Sequence, residues 1–342
     1  MSLELWISAI DQSRFTSDER ERLKNYVQKI DNSNVPIIWN LMHFSELVGI
    51  DAKILDSIVQ QANSFYRSFT IPKRRGGDRQ IDVPYASLMH VQRWINSKIL
   101  VAISPSPWAH GFVKERSIVT NAMIHLKGEM LLKIDLKDFF PSIGLRRIIA
   151  IFRNFGYGSV LSFQLARLCT LNGGLPQGAA TSPALSNIIA KRLDRRIYGL
   201  ARRWGIEYSR YADDLTFSGP HISTNFLKYA TAVIVAEGFS VNQKKVVLVR
   251  ARSKKIVTGV SISSGVPKLP RARRREIRKE VYFLEKVGFD DHTRSINVSD
   301  PLYLERLMGR LAFWRQIEPE SEYVVRAMAK VRAAQGELDR LI

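Results

Sequence analysis

The stretch Ser209–Phe217, SRYADDLTF, sets two adjacent acids, Asp213 and Asp214, inside an apolar, strand-like run. Strand sequence usually avoids Asp, and neighbouring carboxylates repel one another. A polar turn between two strands is one explanation, because Asp is common in turns. A metal site is another, since a cation between the acids would remove the repulsion. A third acid, Asp135, closes the apolar run LLKID, and Asp138 follows it. If that run lies beside the 209–217 hairpin, Asp135 and Asp213 converge at a strand end. Hard divalent cations such as Mg2+ favour a few carboxylate oxygens plus substrate phosphates. Two such ions can activate an attacking hydroxyl and stabilise a leaving oxygen during phosphoryl transfer.

These acids stand out because the chain is basic: 52 Lys and Arg face 32 Asp and Glu, a formal charge of +20 over 342 residues. Such a balance points to a polyanionic partner, most often nucleic acid. Anionic membrane is the weaker reading, because no long basic amphipathic helix stands out and no apolar run reaches membrane-spanning length. The excess is uneven, with thirteen Lys or Arg and one acid, Glu276, between Lys244 and Lys279. A solvated helix face is the plain alternative for that run. The first residues lack the basic start and apolar core of a signal peptide. The single cysteine, Cys169, cannot form an internal disulfide, which points to a reducing, cytoplasmic setting and to a small buried residue without chemistry.

Along the chain, residues 1–64 read as short helices, with Ser17 as a cap followed by Glu19. TIPKRRGGDRQIDVP reads as two strands around a Gly76-Gly77 turn. SPALSNIIAKRLDRRIYGLARRWG reads as a long helix with a basic outer face, and the last 70 or so residues read as helices. Strands and helices mixed in the middle, with helical ends, predict an α+β fold.

The motifs fall in a recognisable order. YADD resembles the signature of reverse transcriptases, and five further blocks follow that family's order. IPKRRGGDRQIDVP is similar to its fingers hairpin, HGFVKERSIVTNAMIH to the next block, and LLKIDLKDFFPSI to the first catalytic strand. GLPQGAATSP resembles the substrate-binding turn before the palm helix, and GFSVNQKKVVLV with KKIVTGVSIS the strand and hairpin closing the palm. Asn121, Ala122 and His125 in NAMIH match the Asn-Ala-x-x-His signature of the retron branch, and Val257, Thr258 and Gly259 its second marker.

The resemblance implies a right-hand polymerase fold: a helical segment over 1–64, fingers and palm over 65–265 with a small antiparallel sheet backed by helices, and a helical RNA-binding thumb over 266–342. It implies RNA-templated DNA synthesis from dNTPs with two Mg2+ ions, Mn2+ as a substitute. Asp135, Asp213 and Asp214 match the metal-binding acids, with Asp135 and Asp213 the most direct ligands and Asp138 a turn or capping acid. Phe140 matches the ring under the incoming sugar, which would exclude a 2'-OH; a plain core Phe is the alternative there, as at Phe139. Gln177 and Gly178 match nucleotide-contacting positions, and Lys73 and Arg79 the basic residues that hold a triphosphate. The choice among Lys73, Arg74 and Arg75 stays open. Tyr211 would lie near the primer end, and Asn242 with Lys244 or Lys245 near primer and nucleotide phosphates. Asn121, Val257, Thr258 and Gly259 would contact RNA, and His125 would contact RNA or serve structure. Arg271, Arg274, Arg275 and Arg278 would face a phosphate backbone, with Tyr282, Phe283 and Trp314 interleaved and most of these rings buried.

As partners the resemblance implies a structured non-coding RNA that serves as template and primer, its DNA product, an effector protein in anti-phage defence, and no membrane. Two alternatives remain at this level. One is a group II intron-like reverse transcriptase, against which no maturase-like or endonuclease segment is expected after the thumb. The other is a non-catalytic RNA-binding protein on a polymerase scaffold, against which the clustered acids argue.

Overall fold

The computed structural model describes residues 2–73, 76–289, 294, 300 and 302–338, so Arg74 and Arg75 lie outside the described residues. At its centre is an antiparallel sheet built on strand β3 (Met130–Lys137); the other strands are numbered in chain order around it. The hairpin β1 (Tyr66–Pro72) and β2 (Asp78–Pro84) stands apart as a two-stranded ribbon. On one side of β3 lies β5 (Asp214–Gly219), in register from Met130 opposite Gly219 to Asp135 opposite Asp214. Outside it lies β4 (Glu207–Tyr211), joined to β5 by the two-residue turn Ala212–Asp213. The other side of β3 takes β6 (Ser240–Val241) near its C-terminal end and β7 (Val247–Val249) near its start.

Side chains alternate across a strand, so one set of β3 residues enters the core and the other faces away. Leu132, Ile134 and Leu136 join Leu215, Phe217 and Tyr208 in the main core. Helices Ser182–Arg203 and Thr224–Ala236 cover that face. Asp135 points to the other face, where β3 ends and the cleft begins. In the helix Leu145–Phe155 the buried set Ile148, Ile151, Phe152 and Phe155 repeats at helical spacing, and Gly156 ends it at φ 114°.

The N-terminal helices do not form a core of their own. Ile30, Phe44, Leu55 and Ile58 belong to the same buried cluster as Leu132 and Ile134. Polar ties reinforce this: Tyr157 Oη donates to the Pro36 carbonyl at 2.8 Å, and Arg167 Nε to the Val59 carbonyl at 2.9 Å. A boundary expected at residue 64 therefore does not separate two cores. The first long helix is capped by Thr16 rather than by Ser17. Thr16 Oγ1 accepts from the Glu19 amide while the Glu19 carboxylate accepts from the Thr16 amide, and this reciprocal pair fixes the start one residue earlier.

A second core runs through the C-terminal half. Val257 and Val260, from the small hairpin β8 (Ile256–Val257) and β9 (Val260–Ser261), join Leu269, Ile277, Leu307, Leu311 and Trp314. Helices Arg271–Val287, Tyr303–Ile317 and Glu322–Leu338 supply most of the remaining members, with Ala122 and Leu131 entering from the other half of the chain. Of Tyr282, Phe283 and Trp314, Trp314 is buried and Tyr282 is 53% exposed.

Candidate active site

A cleft of about 600 Å³ opens where β3 ends. Asp135, Asp138 and Asp213 line it, with Lys73, Arg79, Phe140, Pro176, Gln177, Asn242 and Lys245. These come from the β1–β2 ribbon, the end of β3, the turn before the long helix, the β4–β5 turn and the segment after β6. Residues far apart in sequence thus meet in one cavity. Tyr211, Asp214 and Lys244 do not line it; Tyr211 and Asp214 face each other across the β4–β5 hairpin, and Lys244 is exposed.

Asp135 is nearly buried and both of its oxygens are engaged. Oδ1 accepts from Asn242 Nδ2 at 3.0 Å, and Oδ2 accepts from Lys245 Nζ at 2.7 Å. The Asn242 amide also donates to the Asp135 carbonyl at 2.8 Å. The Lys245 ammonium therefore stands where a cation is most favoured, and its own pKa is raised, first by that hydrogen bond. The pair Asp213 and Asp214 is less well served. Loss of hydration, then the charge of Asp135, raises the Asp213 carboxyl above its ordinary value. Loss of hydration, then the charges of Asp213 and Asp135, pushes Asp214 up to about 6. Crowded acids of this kind bind a divalent ion in preference to protons once one is supplied. Among the described residues no three His, Cys, Asp or Glu side chains converge closely enough to enclose a metal by themselves. An oxygen set this small suits an ion that shares its coordination sphere with substrate phosphates.

The turn that carries Asp213 is held from behind. Ala212 takes φ 56°, a conformation that normally favours Gly, so something must enforce it. Arg210, fully buried, donates through Nη1 to the Ala212 carbonyl at 3.1 Å and to Asn187 Oδ1 at 3.1 Å. Its Nε and Nη2 grip Asp194 at 2.7 and 2.8 Å, and Tyr208 Oη adds a third bond to that carboxylate. Asn187 Nδ2 donates to the Gly111 carbonyl at 2.9 Å. A Cβ on Gly111 would lie 2.6 Å from the Ala212 nitrogen, so only Gly lets this loop press on the turn. Sequence reasoning does not single out Asn187, Asp194 or Gly111. The one available signal is at Asp194, a charge inside a helix that otherwise repeats apolar residues.

The residues expected to contact a nucleotide are arranged around the β1–β2 ribbon. Its Asp82 amide donates to the Gln177 carbonyl at 2.9 Å, which docks the ribbon onto the turn before the long helix. Gly178 sits at φ 136°, and a Cβ there would meet the Asp82 carbonyl at 2.6 Å. Lys73 and Arg79 project from the ribbon and are exposed. Phe140 is half-buried between Phe139, which is core, and Phe112, whose ring centroid is 6.0 Å away. Phe112, Gln80 and Asp82 also line the cleft and are not expected from the sequence.

The expected RNA contacts differ in burial. Asn121, His125 and Val257 are each 0% exposed, so none of them offers a surface to RNA. His125 bonds Ser218 and Ser209, both at 2.7 Å, and burial pushes its pKa down to about 3, so it is neutral. Thr258 is half-buried and Gly259 is exposed. Arg271, Arg275 and Arg278 are exposed on one helix, with Arg278 packed over the Tyr323 ring at 4.7 Å, while Arg274 approaches Glu318.

Residues 71–283 match the family model described as "Reverse transcriptase (RNA-dependent DNA polymerase)". The chain is similar to the retron Ec86 reverse transcriptase of Escherichia coli, with 34% identity over 78% of this chain and 85% of that one. It is also similar to the retron Mx65 reverse transcriptase of Myxococcus xanthus, with 36% identity over 72% of this chain and 64% of that one. A solved structure of a foamy viral protease-reverse transcriptase in complex with double-stranded DNA covers 98% of this chain and 60% of that one, at 15% identity and a TM-score of 0.41.

Proposed function

We propose, for a chain that belongs to the reverse transcriptases and among them to the retron branch, a specific form of RNA-directed DNA polymerase activity. It copies part of a cognate structured non-coding RNA into single-stranded DNA, starting from the 2'-OH of an internal guanosine, so that the product is a branched RNA–DNA. The observation that carries this reading is the similarity to retron reverse transcriptases over most of both chains, on a scaffold whose cleft is lined by Asp135 and Asp213. The same likeness supports an effector protein as partner and a part in anti-phage defence. The division into a helical segment (1–64), fingers and palm (65–265) and thumb (266–342) belongs to this reading.

Asp135 and Asp213 would hold the divalent ions, Mg2+ with Mn2+ as a substitute, and Asp214 would tune the charge of the turn. When bound, such ions lower the pKa of the primer hydroxyl and neutralise the phosphates. Lys245 and Asn242 hold the Asp135 carboxylate oriented through their hydrogen bonds. Lys73 and Arg79 supply positive charge to the triphosphate from a ribbon that can close over it. Phe140 presents an apolar ring to the sugar, against which a 2'-OH would lose its hydrogen bonds. Arg271 and Arg275 offer phosphate contacts to the duplex.

Purified protein given an RNA template, primer, dNTPs and Mg2+ will incorporate nucleotides, and Asp213→Asn with Asp214→Asn will abolish it. Incorporation that survives the double change overturns the site assignment. For the retron reading, the nucleic acid that copurifies decides. Debranching enzyme will release a short RNA from its DNA; DNA that is unchanged by the treatment sinks the branched product.

A further inference from the structure

The two sequence markers, Asn121–His125 and Val257–Gly259, lie outside the cleft, yet they touch each other. The helix Ile118–Met123 is wedged between the catalytic sheet and the β8–β9 hairpin. On the sheet side His125 is clamped between Ser209 on β4 and Ser218 on β5, the two strands that present the Asp213 turn. On the other side Asn121 Nδ2 donates to Thr258 Oγ1 at 3.4 Å, and Thr258 Oγ1 donates to the Ile118 carbonyl at 3.2 Å. Thr258 holds φ 45°, an unfavourable conformation for a β-branched residue, which the surrounding contacts must impose. Asn121 Oδ1 is buried without a partner among the described residues, a further cost retained at this point.

Around this joint Ile118, Val119, Leu126 and Val249 also pack against the second core. From the catalytic half, Ala122 and Leu131 are the fully buried members of the second core among the described residues. Lys255 Nζ adds bonds to the Gly128 and Glu129 carbonyls at 3.0 and 2.9 Å, beside the same wedge. From β9 the chain leads through Leu269 directly into the basic helix Arg271–Val287. Apolar contacts tolerate sliding, whereas buried directional bonds specify one arrangement.

We propose that Asn121 and Thr258, backed by His125, are positioning residues. They form a joint that sets how the basic C-terminal helices lie against the catalytic sheet, and so how firmly a template–primer duplex is held across the cleft. This rests on the proposed grip of those helices on nucleic acid. The test uses the full chain with an RNA template and DNA primer of unrelated sequence. It measures KM for the duplex, kcat for a single addition at saturating duplex, and product length in the presence of a heparin trap. Asn121→Ala is expected to raise KM by about five- to twentyfold and shorten the products, with kcat within about twofold. Thr258→Val will act in the same direction, and Thr258→Ser, which keeps the hydroxyl, will restore wild-type values. If Asn121→Ala misfolds, Thr258→Val at its half-buried turn carries the same reading. A fall in kcat at unchanged KM, or no change in either variant, overturns the joint. So does an effect confined to the cognate RNA, which would mark a direct base contact. Arg271→Ala with Arg275→Ala serves as the control. If that pair leaves KM unchanged, the grip itself fails; if it raises KM while the Asn121 and Thr258 variants do not, the joint alone fails.

Discussion

Arg210 illustrates how a buried charge can hold a strained turn. Burial of an ion pair is costly, and removal of one partner strands the other. Arg210→Met should therefore destabilise the fold by about 3–5 kcal/mol, measured by denaturant unfolding. Adding Asp194→Leu should recover much of that stability, because an apolar pair can replace a buried ion pair. Polymerisation should not return, since the Ala212 carbonyl then has no donor; recovery of activity in the double variant would refute the positioning role. Phe140 carries a simpler expectation. Phe140→Val should raise ribonucleotide incorporation relative to deoxyribonucleotide by at least about tenfold, read from competing single additions. An unchanged ratio would make Phe140 an ordinary core ring. His125 supplies a pH dependence. In the folded chain it takes a proton only near pH 3, against an ordinary value of 6.5. Between those values the unfolded chain binds a proton that the folded chain refuses. Stability thus falls as pH drops from 6.5 toward 3, and this group has no effect above 6.5. His110, pushed down to about 4 by burial and then by Arg116, acts in the same direction. His125→Gln, which can still bridge the two serines, should flatten the loss of melting temperature between pH 7 and 4.5. A parallel pH curve for that variant would show that His125 does not set it.

At the scale of elements, the decisive contacts are close approaches of backbone. The β1–β2 ribbon touches the turn before the long helix at Gly178, where a Cβ would meet the Asp82 carbonyl at 2.6 Å and φ is 136°. Gly178→Ala should push the ribbon off its seat, carrying Lys73 and Arg79 with it. The expected result is a KM for dNTP raised about tenfold, with a smaller change in the KM for template–primer. Equal changes in both constants would mean a general loss of structure instead. The element reading from sequence succeeded where one local period dominates: the long helix after Pro183, the β4–β5 hairpin and the ribbon around Gly76-Gly77 all formed as expected. It slipped at a helix start, because Thr16 and Ser17 are both good caps and only the bond to Glu19 chooses between them.

Across the whole molecule, basic residues outnumber acids, and the helix Arg271–Val287 presents exposed arginines outside the cleft. Affinity for a duplex should fall steeply with salt. Arg271→Ala with Arg275→Ala should lower the slope of log affinity against log salt by about 1 for each phosphate that is no longer neutralised. A slope that does not change would place the duplex elsewhere. No described helix is long and apolar enough to cross a membrane. The N-terminal helices share the main core, so their removal should expose the apolar partners of Ile30, Phe44 and Leu55 rather than release an independent unit.

The sequence by itself determined the strands that end in acids, the order of the motifs and hence the family, because alternation, helical spacing and turn chemistry are local properties. It also marked Asp135, Asp213, Phe140, Gln177 and Lys245, all of which line one cleft. What only the tertiary structure decided was who meets whom. Lys245 reaches Asp135 across 110 positions, Asn121 reaches Thr258 across 137, and His125 reaches Ser218 across 93. Asn121 and His125 look the same in sequence whether they face RNA or fill a joint. Burial separates the two roles, and burial is a property of the packed chain: it depends on which surfaces the two cores bring together, and no short stretch encodes that.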